Sequence, residues 1–381
     1  MRVAIVHDWL VTYGGAERVL EQMLATFPDA QLFSLLYRMP PAQRGFLNGR
    51  QVRTSFLQRV PSIGRTYRRF LPLMPAAVER FDFSGFDLVL SSSSAVVRGV
   101  LTTPDQLHIC YLQARNLKYA YEDRASYPGG QLRRLAEDLL LTRVRMWDSI
   151  AARRPDRTIA NSRYVSAWHQ HRHGVASDVI YPPVDTELFA RFYSESKDSY
   201  FVTVGRLEPY KRMDLVIQAF RDIPARLVVV GEGTQSGALR ALASSNVEFA
   251  GYCEPKRVAE IVSRARAFVF ASREDFGIAP LEAQACGTPV LAYAGGAARE
   301  TIRGLDVQEP TGVLFGQQTI ESLRHAVQEF EECRTHIAPD ACRRNAQVFT
   351  PDRFRRELRA YVEAELERRE GGESATRVLR A

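Results

Sequence analysis

The chain has 381 residues, 45% of them hydrophobic and 25% charged, with a formal net charge of +7. That length suggests two or three domains, and the composition is that of a globular chain and excludes disorder beyond the ends. The five cysteines are odd in number and form no CxxC pair, which argues against a disulfide framework or a structural zinc site and fits a reducing setting.

Residues 3–6 form a short apolar run that ends at His7 and Asp8, and they read as a first buried strand rather than a signal peptide. Gly14-Gly15 come next, just before a helix predicted over 16–27. Further strands are predicted at 32–37, 88–90, 108–112, 158–160 and 179–181, with a helix at 135–152. Continuous apolar strands separated by helices predict a parallel sheet covered on both faces. Between residues 30 and 78 stand eight arginines (38, 44, 50, 53, 59, 65, 68 and 69) and no Asp, Glu or Lys. An anionic partner is expected there: a membrane surface, a diphosphate or nucleic acid. No apolar stretch approaches the roughly 20 residues that span a bilayer, so a soluble or peripheral protein is expected.

Pro182-Pro183 cannot continue a ladder, and the domain boundary is placed near residue 190. The second half repeats the alternation more regularly. Strands are predicted at 201–204, 227–230, 247–249, 268–270, 290–292 and 313–315, and helices at 214–220, 237–244, 258–265, 280–286 and 320–330. This is the pattern of a doubly wound α/β domain. The predicted organisation is therefore 1–190, 191–350, a helix over 351–369 that opens on Pro351, and a flexible tail over 370–381.

Four segments carry candidate chemistry. Gly14-Gly15 let backbone amides approach an anion at a helix start, although a plain strand-to-helix turn explains them equally. Gly205-Arg206 with Lys211 stand after the first strand of the second domain, where an open α/β sheet binds its ligand. A guanidinium fork and an ammonium there suit a diphosphate. Gly231, Gly233 and Gly237 lie on the second strand's end with GxGxxxG spacing, and read as a glycine turn beside a nucleotide rather than an NAD site. In Ser272–Glu282, two glutamates, Glu274 and Glu282, flank seven residues, and Pro280 is taken to open a short helix with Glu282 in its first turn. Amides around Phe276, Gly277 and Ile278 would face an anion, while the carboxylates accept bonds from hydroxyls. A helix start with an acidic first turn explains Glu282 but not the whole loop.

Weaker signals are found elsewhere in the chain. His169 and His173 share a face of a helix that ends at Gly174. Such residues more often lie exposed and favour the helix C-terminal dipole than bind metal. Glu79, Asp82 and Asp87 form no ligand motif. Ser91–Ser94 lack the G-x-S-x-G context of a nucleophile.

With these residues in place, the chain resembles a retaining glycosyltransferase of family 4 with the GT-B architecture: two doubly wound Rossmann-like domains facing across a cleft, the C-terminal helix returning to the first. The marks are Gly14-Gly15, Gly205-Arg206 with Lys211, and the Glu274–Glu282 pair enclosing Phe276-Gly277. The opening HDWLVTYGGAERV looks most like bacterial O-antigen mannosyltransferases and relatives that use GDP-D-rhamnose. The resemblance implies that Arg206 and Lys211 bind the diphosphate, that Glu274 contacts the donor sugar, and that Glu282 binds the ribose diol. It places Gly251-Tyr252 by the base and Gly15 near the phosphate. Asp8 and Gln113 are candidate sugar or acceptor contacts, Gln113 standing where many relatives carry a histidine. A carboxamide there can hydrogen-bond a sugar but cannot act as acid or base.

The resemblance also implies closure over the donor, front-face attack with retention, and no cofactor or metal. The donor would be GDP-mannose or GDP-D-rhamnose, and the acceptor a polyprenyl-diphosphate-linked glycan of bacterial surface polysaccharide. Arg59, Arg65, Arg68 and Arg69, interleaved with Phe56, Leu57, Tyr67, Phe70, Leu71 and Leu73, would meet that acceptor at the anionic cytoplasmic face of the inner membrane; a solvated loop explains them equally. A UDP-sugar transferase, a nucleotide-sugar epimerase and a polyanion binder stay open as alternatives. No recognised nucleic-acid module surrounds the basic segment, so no nucleic-acid partner is expected.

Overall fold

The structure, a computed structural model, describes residues 1–115, 117, 121 and 131–378. The chain divides into two compact units. One comprises Met1–Pro183 and the chain from Phe354 onward; the other is Val184–Arg353.

The first unit is built on seven strands: β1 (Val3–His7), β2 (Gln31–Ser34), β3 (Val52–Thr54), β4 (Leu88–Ser93), β5 (Leu107–Leu112), β6 (Arg157–Ala160) and β7 (Asp178–Val179). They lie in the order β3-β2-β1-β4-β5-β6-β7, every pair parallel. Period-two alternation decides the two cores. Val3 and Ile5 enter a cluster with Leu20, Met23 and Leu24, while Ala4 and Val6 enter a second with Leu71, Met74 and Val78 on the other face. Leu20, Met23 and Leu24 come from the helix Gly15–Thr26, whose i, i+3, i+4 apolar spacing turns one face to the sheet.

The second unit has six strands: β8 (Tyr200–Val204), β9 (Arg226–Val230), β10 (Val247–Gly251), β11 (Ala267–Phe270), β12 (Val290–Tyr293) and β13 (Gly312–Phe315). Their order is β10-β9-β8-β11-β12-β13, again parallel throughout. Phe201 and Val202, adjacent in β8, feed opposite cores. Both units are thus doubly wound α/β sheets, as the alternation predicts.

The C-terminal helix Pro351–Val378 returns to the first unit. Phe354, Leu358 and Val362, four residues apart, are buried in the cluster that holds Leu20 and Met23. The Phe354 ring meets Tyr111 edge-on at 5.7 Å, and Arg157 pairs with Glu365 at 2.8 Å.

The sequence misplaces some details. β2 ends at Ser34, whose hydroxyl turns back to the Leu36 carbonyl at 3.0 Å, so the run predicted to 37 survives only as a bridge between Leu10 and Tyr37. β3 carries a charged Val-Arg-Thr edge with no apolar signal. The helix predicted to open at Pro280 spans Ile278–Ala285. The last helix passes Arg369 because Gly371 and Gly372 weaken a helix by only about 1 kcal/mol each and no proline comes after them. The remainder of the expected flexible tail, 379–381, lies outside the described residues.

Candidate active site

In the second unit the winding reverses between β8 and β11, which pair directly. At such a point the loops leave the carboxyl ends of the strands in opposite directions and open a crevice. Gly205-Arg206-Leu207 lie just past β8. They are tied to the next loop by Gly205 N–H donating to Val230 at 3.0 Å and Leu207 N–H donating to Glu232 at 2.9 Å. This explains the Gly231-Glu232-Gly233 turn. Gly231 has φ of +130°, and a Cβ there would lie 2.0 Å from the Gly205 oxygen; at Gly233 it would lie 2.4 Å from the Leu207 oxygen. The glycines let two loops pack together. Gly237 lies in the following helix, where a Cβ would meet nothing.

The short turn Pro209–Lys211 then aims Lys211 inward, where its ammonium pairs with Glu274, each side chain about four-fifths buried. Glu274 lies past the end of β11 and is fixed on two sides. Ser272 donates its hydroxyl to Oε1 at 3.2 Å, and the Ala297 amide donates to the Glu274 carbonyl at 3.0 Å beside a bridge to Gly296. Arg206 is exposed and donates to the Tyr210 hydroxyl at 2.8 Å, and the Lys211 ammonium stands 5.5 Å from the Tyr210 ring centre. Two cations and a carboxylate thus converge at the winding reversal, Lys211 and Glu274 being 63 residues apart in sequence.

Gly277, with φ of +91°, precedes the helix Ile278–Ala285, and no side chain caps that end. Ile278 and Ala279 therefore offer first-turn amides, while Pro280 has none. One expectation is corrected here: Glu282 lies in the second turn, not the first, and is 9% exposed. The Phe276 side chain belongs to the core against Phe349, with rings 5.6 Å apart. Gly251 ends β10, and Tyr252 beyond it is exposed, its hydroxyl donating to Glu254 at 3.2 Å. The sequence reading opened this loop at Ser272 without giving the residue a role, and it passed over Gly296, whose signal was the pair Gly295-Gly296 just past β12.

In the first unit Gly14 is the N-cap of the helix that Gly15 begins, and its amide donates to Glu17 at 2.9 Å. Asp8, a candidate sugar or acceptor contact in the sequence, anchors a loop of its own unit. It is buried, and its two oxygens accept the amides of Ser94, Ala95, Val96 and Val97 at 2.5–3.0 Å. Burial raises its pKa, with His7 and those amides acting the other way. Gln113, just past β5, is half-buried and donates to Ser92 at 3.0 Å.

The basic segment divides. Arg44 and Arg50 close on backbone carbonyls of Met39, Pro28 and Ala30, and Arg53 lies over the Phe33 ring. Arg59, Arg68 and Arg69 are not buried, whereas Leu57, Tyr67 and Leu71 belong to the core, leaving Phe56 and Leu73 as the exposed large apolar residues of the six. The backbone of Arg65 lies in the turn Ile63–Thr66; its side chain is outside the described residues. His169 and His173 are buried rather than exposed, and burial with nearby Arg98 pushes both pKa values down to about 4.

Two parallel α/β units, each with a winding reversal, have the doubly wound architecture that binds nucleotides at the switch point. Residues 13–188 match the family described as Glycosyltransferase Family 4, and residues 184–349 match Glycosyl transferases group 1. Together the matches run from 13 to 349, and the chain belongs to the family 4 glycosyltransferases. It is 32% identical over 193 residues to a GDP-mannose-dependent monoacylated alpha-(1-6)-phosphatidylinositol monomannoside mannosyltransferase of Corynebacterium glutamicum, covering 46% of each chain. It is 31% identical over 176 residues to a D-inositol 3-phosphate glycosyltransferase of Mycobacteroides abscessus, covering 40% of this chain and 38% of that one. The chain thus spans less than half the length of these curated relatives. Among solved structures it is similar to Anabaena HepE in complex with UDP-glucose, with a TM-score of 0.68, 17% identity, and coverage of 96% of this chain and 100% of that one, which shows the GT-B fold.

Proposed function

We propose that the chain transfers a hexose from a nucleotide-diphosphate sugar to an acceptor hydroxyl with retention of configuration. The observation that carries this reading is the Lys211–Glu274 pair with Arg206 at the winding reversal of the second unit, beside the uncapped helix end at Ile278. A diphosphate would draw Lys211 and Arg206 to its oxygens, and they would stabilise the charge that develops as it leaves. Glu274, released from Lys211, would accept a donor-sugar hydroxyl. Glu282 would serve the ribose diol, with Gly251 and Tyr252 near the base and Gly14 and Gly15 approaching the phosphate. In the step, the bond from the anomeric carbon to the diphosphate oxygen breaks and a bond to the acceptor oxygen forms. The acceptor proton passes to the leaving diphosphate.

The finer reading is mannose or D-rhamnose moved from a GDP-sugar to a polyprenyl-diphosphate-linked glycan at the cytoplasmic face of a bacterial inner membrane. The GDP-mannose dependence named for the corynebacterial relative supports the donor. The solvent-accessible Arg59, Arg68 and Arg69 in the same segment as the exposed Phe56 and Leu73 support an anionic, lipid-bearing acceptor. No helix among the described residues is long and apolar enough to cross a membrane. The test is thermal unfolding with GDP, UDP, ADP and their sugar conjugates, repeated with Glu282→Ala. Stabilisation by GDP and GDP-mannose that weakens in the variant supports the reading. Stabilisation by UDP instead keeps sugar transfer and overturns the mannosyl donor. No response at millimolar nucleotide overturns both.

A further inference from the structure

Glu274 and Glu282 stand on separate elements of the second unit, and a buried carboxamide joins those elements from behind. Gln284 is fully buried in the helix Ile278–Ala285, two positions after Glu282. Residues two apart leave a helix on roughly opposite sides, about 200° around its axis. What holds the back of this helix therefore sets where Glu282 emerges at the front.

Gln284 Nε2 donates to the Thr301 carbonyl at 2.9 Å and to the Pro280 carbonyl at 3.3 Å. Its Oε1 accepts from Asn345 Nδ2 at 2.7 Å, and the same Asn345 nitrogen donates to the Thr301 carbonyl at 2.9 Å. A carbonyl only accepts, so both side chains must turn a nitrogen to Thr301, and Gln284 is left to offer its oxygen to Asn345. Thr301, itself buried, closes the short helix Ala298–Thr301. Ahead of that helix the Ala297 amide donates to the Glu274 carbonyl at 3.0 Å. Gly296 bridges Glu274 so closely that a Cβ there would lie 2.2 Å from the Glu274 carbonyl oxygen. One four-residue helix thus holds the Glu274 loop at its start and Gln284 at its end. A buried polar network with its bonds made admits one arrangement, whereas an apolar side chain of the same size would let the two elements shift.

We propose that Gln284, held by Asn345, is a positioning residue that fixes Glu282 in register with Glu274, so that one nucleotide sugar meets both carboxylates at once. The proposal rests on the reading of Glu282 as the partner of the ribose diol. Two contacts on one ligand reinforce each other only when the protein holds them at the matching separation.

Calorimetric titrations of the full chain with GDP, UDP, their 2′-deoxy forms and pyrophosphate test it. The ratio of the 2′-deoxy Kd to the ribonucleotide Kd reads the hydroxyl that Glu282 accepts. The wild type should show a ratio of about tenfold for the nucleotide it prefers, as loss of one hydrogen bond to a charged group produces. Gln284→Met, similar in volume but without the amide, should bring the ratio to within about twofold of one, while pyrophosphate affinity stays within about twofold. Asn345 is half-buried and on a different helix, so Asn345→Ala should lower the ratio in the same direction by less, and it decides the matter if Gln284→Met does not fold. A variant that melts earlier yet keeps the wild-type ratio makes Gln284 a stabilising residue only and overturns the proposal, as does an equal loss for every ligand. A wild-type ratio near one, or a ratio that survives Glu282→Ala, overturns the diol assignment of Glu282 and the positioning role with it. A wild type that binds no nucleotide overturns the transfer reading itself.

Discussion

β1 and β8 hold the same place in their sheets, each the strand beside which the winding reverses, yet the residues at their carboxyl ends differ. At the end of β1 stand His7 and Asp8, both buried, and the Asp8 carboxylate is consumed by four amides of the segment after β4. Past β8 stand Gly205 and the exposed Arg206, then Lys211 turned to Glu274. One unit uses a buried carboxylate at this point to hold its own loop amides. The other packs its loops through glycine contacts, backbone bonds and the Glu208 carboxylate, which accepts from Thr234, while Lys211 and Glu274 pair with each other and stay partly solvated. Topology selects where polar groups collect; whether the backbone claims them decides what they can do.

The contrast makes separable predictions. Lys211→Ala should lower sugar transfer by about 10²–10³-fold, as loss of one preorganised charge commonly does. Chemical denaturation should meanwhile move by less than about 1 kcal/mol, because the ion pair is partly solvated and its loss strands no fully buried charge. Stopped-time product assays beside urea melts read both, and a stability loss that matches the activity loss would erase the distinction between the units. Asp8→Ala should do the reverse: it leaves buried amides without acceptors and should destabilise the first unit by about 3 kcal/mol. Two-transition melts would show this, with the transition that nucleotide shifts left in place. Gly231→Ala forces a Cβ against the Gly205 oxygen and should displace the 205–207 loop. Nucleotide affinity should then fall by about tenfold, equivalent to about 1.4 kcal/mol. An unchanged Kd would mean that this loop does not meet the ligand.

A further difference between the units concerns pH. His108, His169 and His173 are held to about 3, 4 and 4 by burial, against an ordinary value of 6.5. Between these values the unfolded chain binds protons that the folded chain refuses, so stability is full above about pH 6.5 and falls as pH drops toward 4. All three residues lie in the first unit. Its melting temperature should therefore fall on going from about pH 7 to about pH 5 more than that of the second unit. A double variant, His169→Asn with His173→Asn, should flatten the difference.

Much of this was legible in the sequence. Strand–helix alternation carries the doubly wound fold because continuous apolar strands must be covered on both faces. Gly205, Lys211 and Glu274 were visible as candidates because they stand just past apolar runs that had to be parallel strands. The sequence alone did not pair Lys211 with Glu274, since the contact depends on β8 and β11 being neighbours. Nor did it reveal that Asp8 is spent on residues 94–97, which lie 86 to 89 positions further along the chain. His169 and His173 were misread as exposed because a helix with few apolar residues gives a weak periodic signal. The arginine run was plain in composition, but burial of Leu57, Tyr67 and Leu71 removed half of the six apolar partners that a lipid surface would need.

The helix that begins at Pro351 has a consequence for how the protein is made. Residues 184–353 leave the ribosome complete, with all six strands and both faces of their sheet in hand. The seven strands that were synthesised before them are still short of Phe354, Leu358 and Val362. Chain order and completion order are therefore inverted: the part translated first is the last to be finished, and until the final helix emerges it carries an open apolar face that a nascent chain must keep from aggregating.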